Sequence, residues 1–366
     1  MNPAIGSAKG FSLLLLVLKA KLYGSNSGIG YPFYLQSSKL MFMKWMPICG
    51  LLLALLACNN TKESKQKMNK PQSEPQAKLW FDSQNTLGEG AFWNVASQEF
   101  VWVDIEGEAF FISDGDPKSV RKVVLNKKIG TIVPDDKGDF VIALENGIYQ
   151  IERESESLSL LANPEADLPN NRMNDGKCDP AGRLWVGSMS MKNEGPVGAL
   201  YRIEADGQSE KMVSPVSISN GIIWSLDQKT MYYIDTGLGN VRAYDYDIES
   251  GDITNERVII EVPGSLGYPD GMTIDAEGKL WIALWNGHAV SRWDPDTGKL
   301  LQTIEVPALN VTSCAFGGPD LETLYITSAR IATTLEQLET YPAAGGVFTV
   351  KPGVKGVPSP VFKTAE

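Results

Sequence analysis

One histidine, His288, serves a chain of 366 residues. A histidine-rich zinc site or a Ser-His-Asp triad is therefore hard to build, and zinc could bind only through oxygen ligands. Cysteine is scarce too, with four in the chain. Cys49 and Cys58 fall near the N-terminus, which leaves Cys178 and Cys314 for the folded part. These two lie in different repeats, so two buried free thiols are expected even in a compartment that permits disulfides. Residues 1–58 contain no Asp, Glu or Arg and five Lys. The rest of the chain thus holds 28 of the 33 basic side chains against all 44 acidic ones, a net charge of −16. Such a surface repels phosphates and attracts cations, which disfavours nucleic acid and anionic lipid as partners.

A long apolar run is also missing from the N-terminus. Met43-Lys44 opens a short basic region, Pro47 to Ala57 is apolar, and Leu55-Leu56-Ala57-Cys58 matches a bacterial lipoprotein signal-peptidase site. The run is too short to span roughly 30 Å of hydrocarbon as a helix, but it suits a signal-peptide core. Residues 1–58 are read as an N-terminal extension and lipoprotein signal peptide, with Cys58 the lipidated first residue of the mature protein. The apolar stretch Phe11 to Leu18 further upstream fits a true start at Met41 or Met43; a longer signal or an uncleaved anchor is the alternative. Residues 59–77 are polar and form a flexible tether. Asn rather than Asp at position 59 favours outer-membrane sorting. The expectation is an exported, periplasmic, lipid-anchored protein, a monomer or weak dimer, that touches membrane only through its anchor.

What the remainder has in plenty is strand signal. A hydrophobic content of 43% and nine Trp are enough for a large core. Short runs recur as Phe100-Val101-Trp102, Phe140-Val141-Ile142, Leu184-Trp185-Val186, Met231-Tyr232-Tyr233, Leu280-Trp281-Ile282 and Leu324-Tyr325-Ile326. Their starts are 40, 44, 47, 49 and 44 residues apart, the length of a four-stranded propeller blade. A turn such as Asp136-Lys137-Gly138 or Ala276-Glu277-Gly278 precedes most runs, as a hairpin requires. Sustained helical periodicity is absent. The reading is an all-β, six-bladed β-propeller over residues 78–366, with strands from both chain ends sharing one blade so that no sheet edge is left open. Trp102, Trp185, Trp224 and Trp281 recur at blade phases and are assigned to the core.

Ten or eleven positions before each run stand Glu89, Gly130, Asn174, Asn220, Asp270 and Ser313. Equivalent positions on the innermost strands form a ring about a propeller axis. Taken singly, Asn or Asp before Gly reads as a turn; three in one phase, with Glu89 in a fourth blade, read as a site. Carboxylate and carboxamide oxygens suit a hard divalent cation: Ca²⁺ first, with Mg²⁺, Mn²⁺ or Zn²⁺ as alternatives. The segment Trp285-Asn286-Gly287-His288 turns towards one channel mouth, where His288 is assigned a structural or surface role, with contact to substrate as the alternative.

The segments Leu87-Gly88-Glu89-Gly90-Ala91-Phe92-Trp93, Asn171-Arg172-Met173-Asn174-Asp175-Gly176-Lys177, Ser219-Asn220-Gly221, Tyr268-Pro269-Asp270-Gly271-Met272 and Cys314-Ala315-Phe316-Gly317-Gly318 resemble, in order, the marker motifs of the senescence-marker/gluconolactonase/regucalcin-like family. The resemblance implies that Glu89, Asn220 and Asp270 bind the metal, with Asn174 beside metal and substrate, and that Arg172 contacts the substrate. It implies Asp270 as general base. Glu194 corresponds to a substrate-contacting glutamate of the sugar-lactonase members, although its loop is shorter here. The activity implied is metal-dependent opening of a small, sugar-type lactone. A different ester or phosphotriester, or a non-catalytic calcium-binding propeller, are the alternatives.

Overall fold

Alternating apolar runs punctuated by Asp- and Gly-rich turns pair, in the computed structural model, into six four-stranded antiparallel sheets. The structure describes residues 75–192 and 195–365. The segment read as a signal peptide, Cys58, nearly all of the stretch read as a tether and Glu194 therefore lie outside the described residues. Blades are numbered in chain order. Their innermost strands are Gly88–Asn94, Ile129–Pro134, Asn171–Cys178, Ser219–Trp224, Tyr268–Ile274 and Asn310–Gly317, and each of the six recurring runs falls in the second strand of its blade. The expected six-bladed propeller is what forms. Among the described residues the only α-helix is Leu335–Thr340, and no helix is long and apolar enough to cross a membrane.

The sixth blade is completed from the other end of the chain: Lys78–Phe81 pairs antiparallel with Val347–Val350. The shared blade anticipated from sequence thus closes the ring. The packed region begins slightly earlier, since Ala77 is buried against blades 5 and 6. Each pair of neighbouring blades encloses its own apolar cluster. The closing interface is aromatic, with Phe100 stacked on Tyr325 at 4.5 Å and Trp102 on Phe111 at 4.7 Å. Large flat rings contribute area at little entropic cost, which favours them where the two chain ends must be held. Trp102, Trp185, Trp224 and Trp281 are all buried, although Trp224 belongs to an innermost strand and the other three to second strands.

In blades 3 and 5 the hairpins joining first to second strands are fixed by aspartates. Asp179 Oδ1 accepts from the amides of Ala181 and Arg183, while its Oδ2 takes bonds from Trp185 Nε1 (3.0 Å) and Arg183 Nε (2.7 Å). Asp275 repeats the pattern with Glu277, Lys279, Trp281 and Arg292. The carboxylate supplies the acceptors that a tight turn lacks.

A feature absent from the repeat pattern is the C-terminal segment. Residues 351–365 cross the face that carries these hairpins: Ala276 N donates to Lys355 O, Gly356 N to Leu321 O, Phe362 N to Pro134 O and Lys363 N to Gly182 O. Phe362 is fully buried between blades 2 and 3. One strap thus joins blades 5, 6, 2 and 3. Cys178 and Cys314 are buried free thiols, as expected.

Candidate functional site

Every innermost strand carries a one-residue irregularity in its pairing with the second strand, and all six fall at the ring positions. The register slips between Glu89 and Phe92, Ile129 and Thr131, Met173 and Gly176, Ser219 and Ile222, Pro269 and Met272, and Val311 and Ser313. A bulge bends the strand and re-aims the extra side chain, which is how a strand already buried on both faces turns polar groups toward the axis. The strands also crowd there. A Cβ on Gly130 would stand 2.4 Å from Met173 O, and one on Gly221 2.6 Å from Met272 Cβ. Glycine at these positions lets neighbouring strands converge.

Four of the six ring residues meet in one cavity of about 540 Å³: Glu89, Asn174, Asn220 and Asp270, with Arg172 beside them. Gly130 contributes no side chain, and Ser313 lies against Gly271 and does not line the cavity. His288 is exposed, with its ring stacked on Tyr341 at 6.3 Å, away from the cavity that Trp285 lines.

The polar groups are ordered by a one-way chain of donors. Arg172 Nη1 donates to Asn174 Oδ1 (2.5 Å), Asn174 Nδ2 to Asn220 Oδ1 (3.2 Å) and Ser219 O (2.7 Å), Asn220 Nδ2 to Thr236 Oγ1 (2.7 Å), and Thr236 Oγ1 to Pro269 O (2.8 Å). Guanidinium can only donate and a proline carbonyl can only accept, so the two ends dictate how both amides face. Thr236 is held by its neighbour Asp235, whose carboxylate accepts from Ser217 N, Ile218 N and Gly237 N. Sequence reasoning missed Thr236; its one signal is its position just after the second strand of the Asn220 blade.

Electrostatically the site is short of positive charge. Glu89 is pushed up to about 8, first by burial and then by Asp175, with the Gly90 amide and Arg172 pulling the other way. Asp270 is raised well above the carboxylate range, by burial, then by Glu89 and Asp175. Arg172 is itself lowered by burial, against the charges of Glu106, Glu89 and Asp270. Among the described residues the one hydrogen bond to the Glu89 carboxylate comes from Gly90 N at 3.2 Å. Two further buried groups of opposite charge, unforeseen from sequence, are Asp175, which accepts from Gly176 N at 2.8 Å, and Lys177, whose ammonium donates to Met272 O at 2.9 Å. On the wall, Lys128 Nζ reaches both oxygens of Glu106 at 2.7 and 2.5 Å.

This donor set fits a hard divalent cation. It consists of oxygens alone, two from buried carboxylates whose ionised forms need a nearby positive charge, and Asn220 Oδ1 keeps a lone pair beyond its bond from Asn174. Among the described residues no three His, Cys, Asp or Glu side chains are placed together to hold a metal ion; the set is two carboxylates plus amides.

Comparison with known proteins identifies the family. Residues 87–330 match the family described as SMP-30/Gluconolactonase/LRE-like region, a span that includes all five cavity residues named above. Regucalcin of Danio rerio is 41% identical over 75% of this chain and 94% of its own length. The putative sugar lactone lactonase YvrE of Bacillus subtilis is 38% identical over 75% and 94%. A crystal structure of a calcium-binding protein, regucalcin, from Agrobacterium tumefaciens superposes with a TM-score of 0.75 at 31% identity, over 79% of this chain and 98% of that one. With the bulged ring and the ordered motifs all in one matched span, the chain belongs to the SMP-30/gluconolactonase/LRE-like family.

Proposed function

We propose that this protein is a metal-dependent lactonase that opens a small lactone ring at the axial cavity. The observation that carries the reading is the convergence of Glu89, Asn220 and Asp270 with Arg172 and Asn174 in one cavity, in a chain whose relatives include a putative sugar lactone lactonase. A site for a structural ion alone has no use for a buried guanidinium facing the cavity.

Glu89, Asn220 and Asp270 would hold the cation, with Asn174 at its edge. Calcium is the first choice, since a relative is described as calcium-binding and the donors are oxygens. When bound, the cation supplies Lewis-acid polarisation of the lactone carbonyl. Asp270 accepts a proton from the attacking water as the water oxygen bonds to the carbonyl carbon. The ring C–O bond then breaks, and Asp270 returns the proton to the departing ring oxygen to give a hydroxy acid. Arg172 and Asn174 orient the lactone oxygens. No nucleophilic Ser or Cys is needed, and Cys178 and Cys314 are buried with thiols held in the protonated form by burial.

A pH-stat assay of purified protein tests this directly. Chelation should abolish acid release from a panel of lactones, and restoring one of Ca²⁺, Mg²⁺, Mn²⁺ or Zn²⁺ should recover it. If no lactone or ester is hydrolysed with any of these, the protein is a binding propeller and not an enzyme.

Thr236 should act through Asn220. Thr236→Val keeps shape but removes the hydroxyl that fixes the amide, and cation affinity measured by calorimetry should fall about 10- to 100-fold, with Thr236→Ser restoring it. Equal affinity in the Val variant would remove Thr236 from the account.

We further propose export with lipid attachment at Cys58, supported by the Leu55-Leu56-Ala57-Cys58 motif and the polar stretch after it. Cys58→Ala should abolish incorporation of labelled fatty acid and release the protein from membranes. Wild-type protein found unlabelled in the cytosol would overturn that assignment.

A further inference from the structure

Outside the axial cluster the cavity wall offers little to a polyol. A lactone bearing several hydroxyls needs a partner for each one it buries. The charged wall pair Lys128 and Glu106 is bonded to itself, Thr236 is committed to Asn220 and Pro269 O, and the Ser190 hydroxyl accepts from Lys192 N.

The rest of the wall is largely apolar, and it flanks the polar centre from two sides. In blade 3, Met189 is the cross-strand partner of Arg172, and Met191, in the turn just past the end of that strand, also lines the cavity with 40% of its surface exposed. In blade 5, Tyr268 stands directly opposite Trp285 across the strands. Cross-strand partners project from the same face of a sheet, so the two aromatics form one surface, two residues along the chain from Asp270. Tyr268 is 52% exposed, and among the described residues its ring stacks on no other. Large apolar side chains left in water at the mouth of a pocket mark a surface that a ligand covers. The cavity, about 540 Å³, also lies in the range of roughly 300–1,000 Å³ that takes drug-sized ligands, larger than a bare sugar ring requires.

We propose that the preferred substrate is a lactone carrying an apolar arm, with its ring at Arg172 and Asp270 and the arm running outward along Tyr268, Trp285 and Met191. This rests on the lactonase reading and narrows it from a sugar-type ring to an alkyl-substituted one.

The test uses the full chain loaded with its activating cation, and a series of γ-butyrolactones with unbranched alkyl chains of increasing length on the ring carbon bearing oxygen. A polyhydroxylated δ-lactone and unsubstituted γ-butyrolactone serve as references. At about fourfold per fully buried methylene, and less where burial is partial, kcat/KM should rise at least about tenfold across four added methylenes. The rise should flatten in Tyr268→Ser, and separately in Met191→Ser, a second exposed position that guards against a folding defect in either variant. The ratio of long-chain to unsubstituted kcat/KM is the readout, so loss of total activity does not imitate the effect. A flat series, a preference for the polyhydroxylated lactone, or a slope unchanged in both variants would overturn the proposal while leaving the lactonase reading intact. Absence of hydrolysis with every lactone and cation would overturn both.

Discussion

Asp270→Asn is expected to fold, to bind the cation more weakly, and to lose on the order of 10²-fold or more in kcat even at saturating cation, the scale of a lost general base. The substitution keeps size and one ligand oxygen while removing charge and basicity, so packing around the bulge between Pro269 and Met272 is preserved. Asp270 is buried among Glu89, Asp175 and Arg172, and removing one negative charge from that group relieves repulsion. Stability should therefore hold or rise in the cation-free protein. Arg172→Ala should act differently, mainly through KM if its contacts are equal in ground and transition states. Initial-rate kinetics over a cation titration separate the two. Near wild-type kcat in Asp270→Asn at saturating cation would remove it as the base.

Lys177→Met should cost about 3–5 kcal/mol of stability, the scale for breaking a buried charge pair by deleting one partner. Lys177 is buried, with its pKa lowered by desolvation against the pull of Asp175, and it donates to Met272 O across blades 3 and 5. The variant leaves that carbonyl without its donor and removes the positive charge that offsets the buried Asp175. Asp175→Asn combined with Lys177→Met should recover part of the loss, because the uncompensated charge goes with it. Denaturant unfolding of the three variants is the measurement. A Lys177→Met protein within about 1 kcal/mol of wild type would mean the pair contributes nothing net, as some buried pairs do.

The two groups of residues differ in how visible they were beforehand. Glu89, Asn174, Asn220 and Asp270 were legible because a propeller repeats its geometry: the distance back from each second-strand run is constant, so a polar residue at that phase stands out against apolar neighbours. Ser313 met the same criterion yet turned out to pack against Gly271, since phase alone does not say where a bulge aims a side chain. Asp175-Gly176 had the look of a turn but lies within the strand Asn171–Cys178; local propensity gave way to tertiary pairing. Thr236, Tyr268, Met191 and the Glu106–Lys128 pair sit at strand ends or in connections whose lengths vary between blades, where no repeat marks them. The C-terminal strap was hidden for a similar reason, being held by backbone amides and one aromatic, Phe362, with no periodic signature.

In the proposed site, oxygens from three blades, with a fourth alongside, surround one ion on the axis. Anomalous scattering from crystals soaked in Mn²⁺ tests it most directly. A single strong peak is expected within coordination distance of Glu89, Asn220 and Asp270, with Asn174 and Arg172 beside it. A peak at some other place, or none in protein that still hydrolyses lactones after chelation, would contradict it.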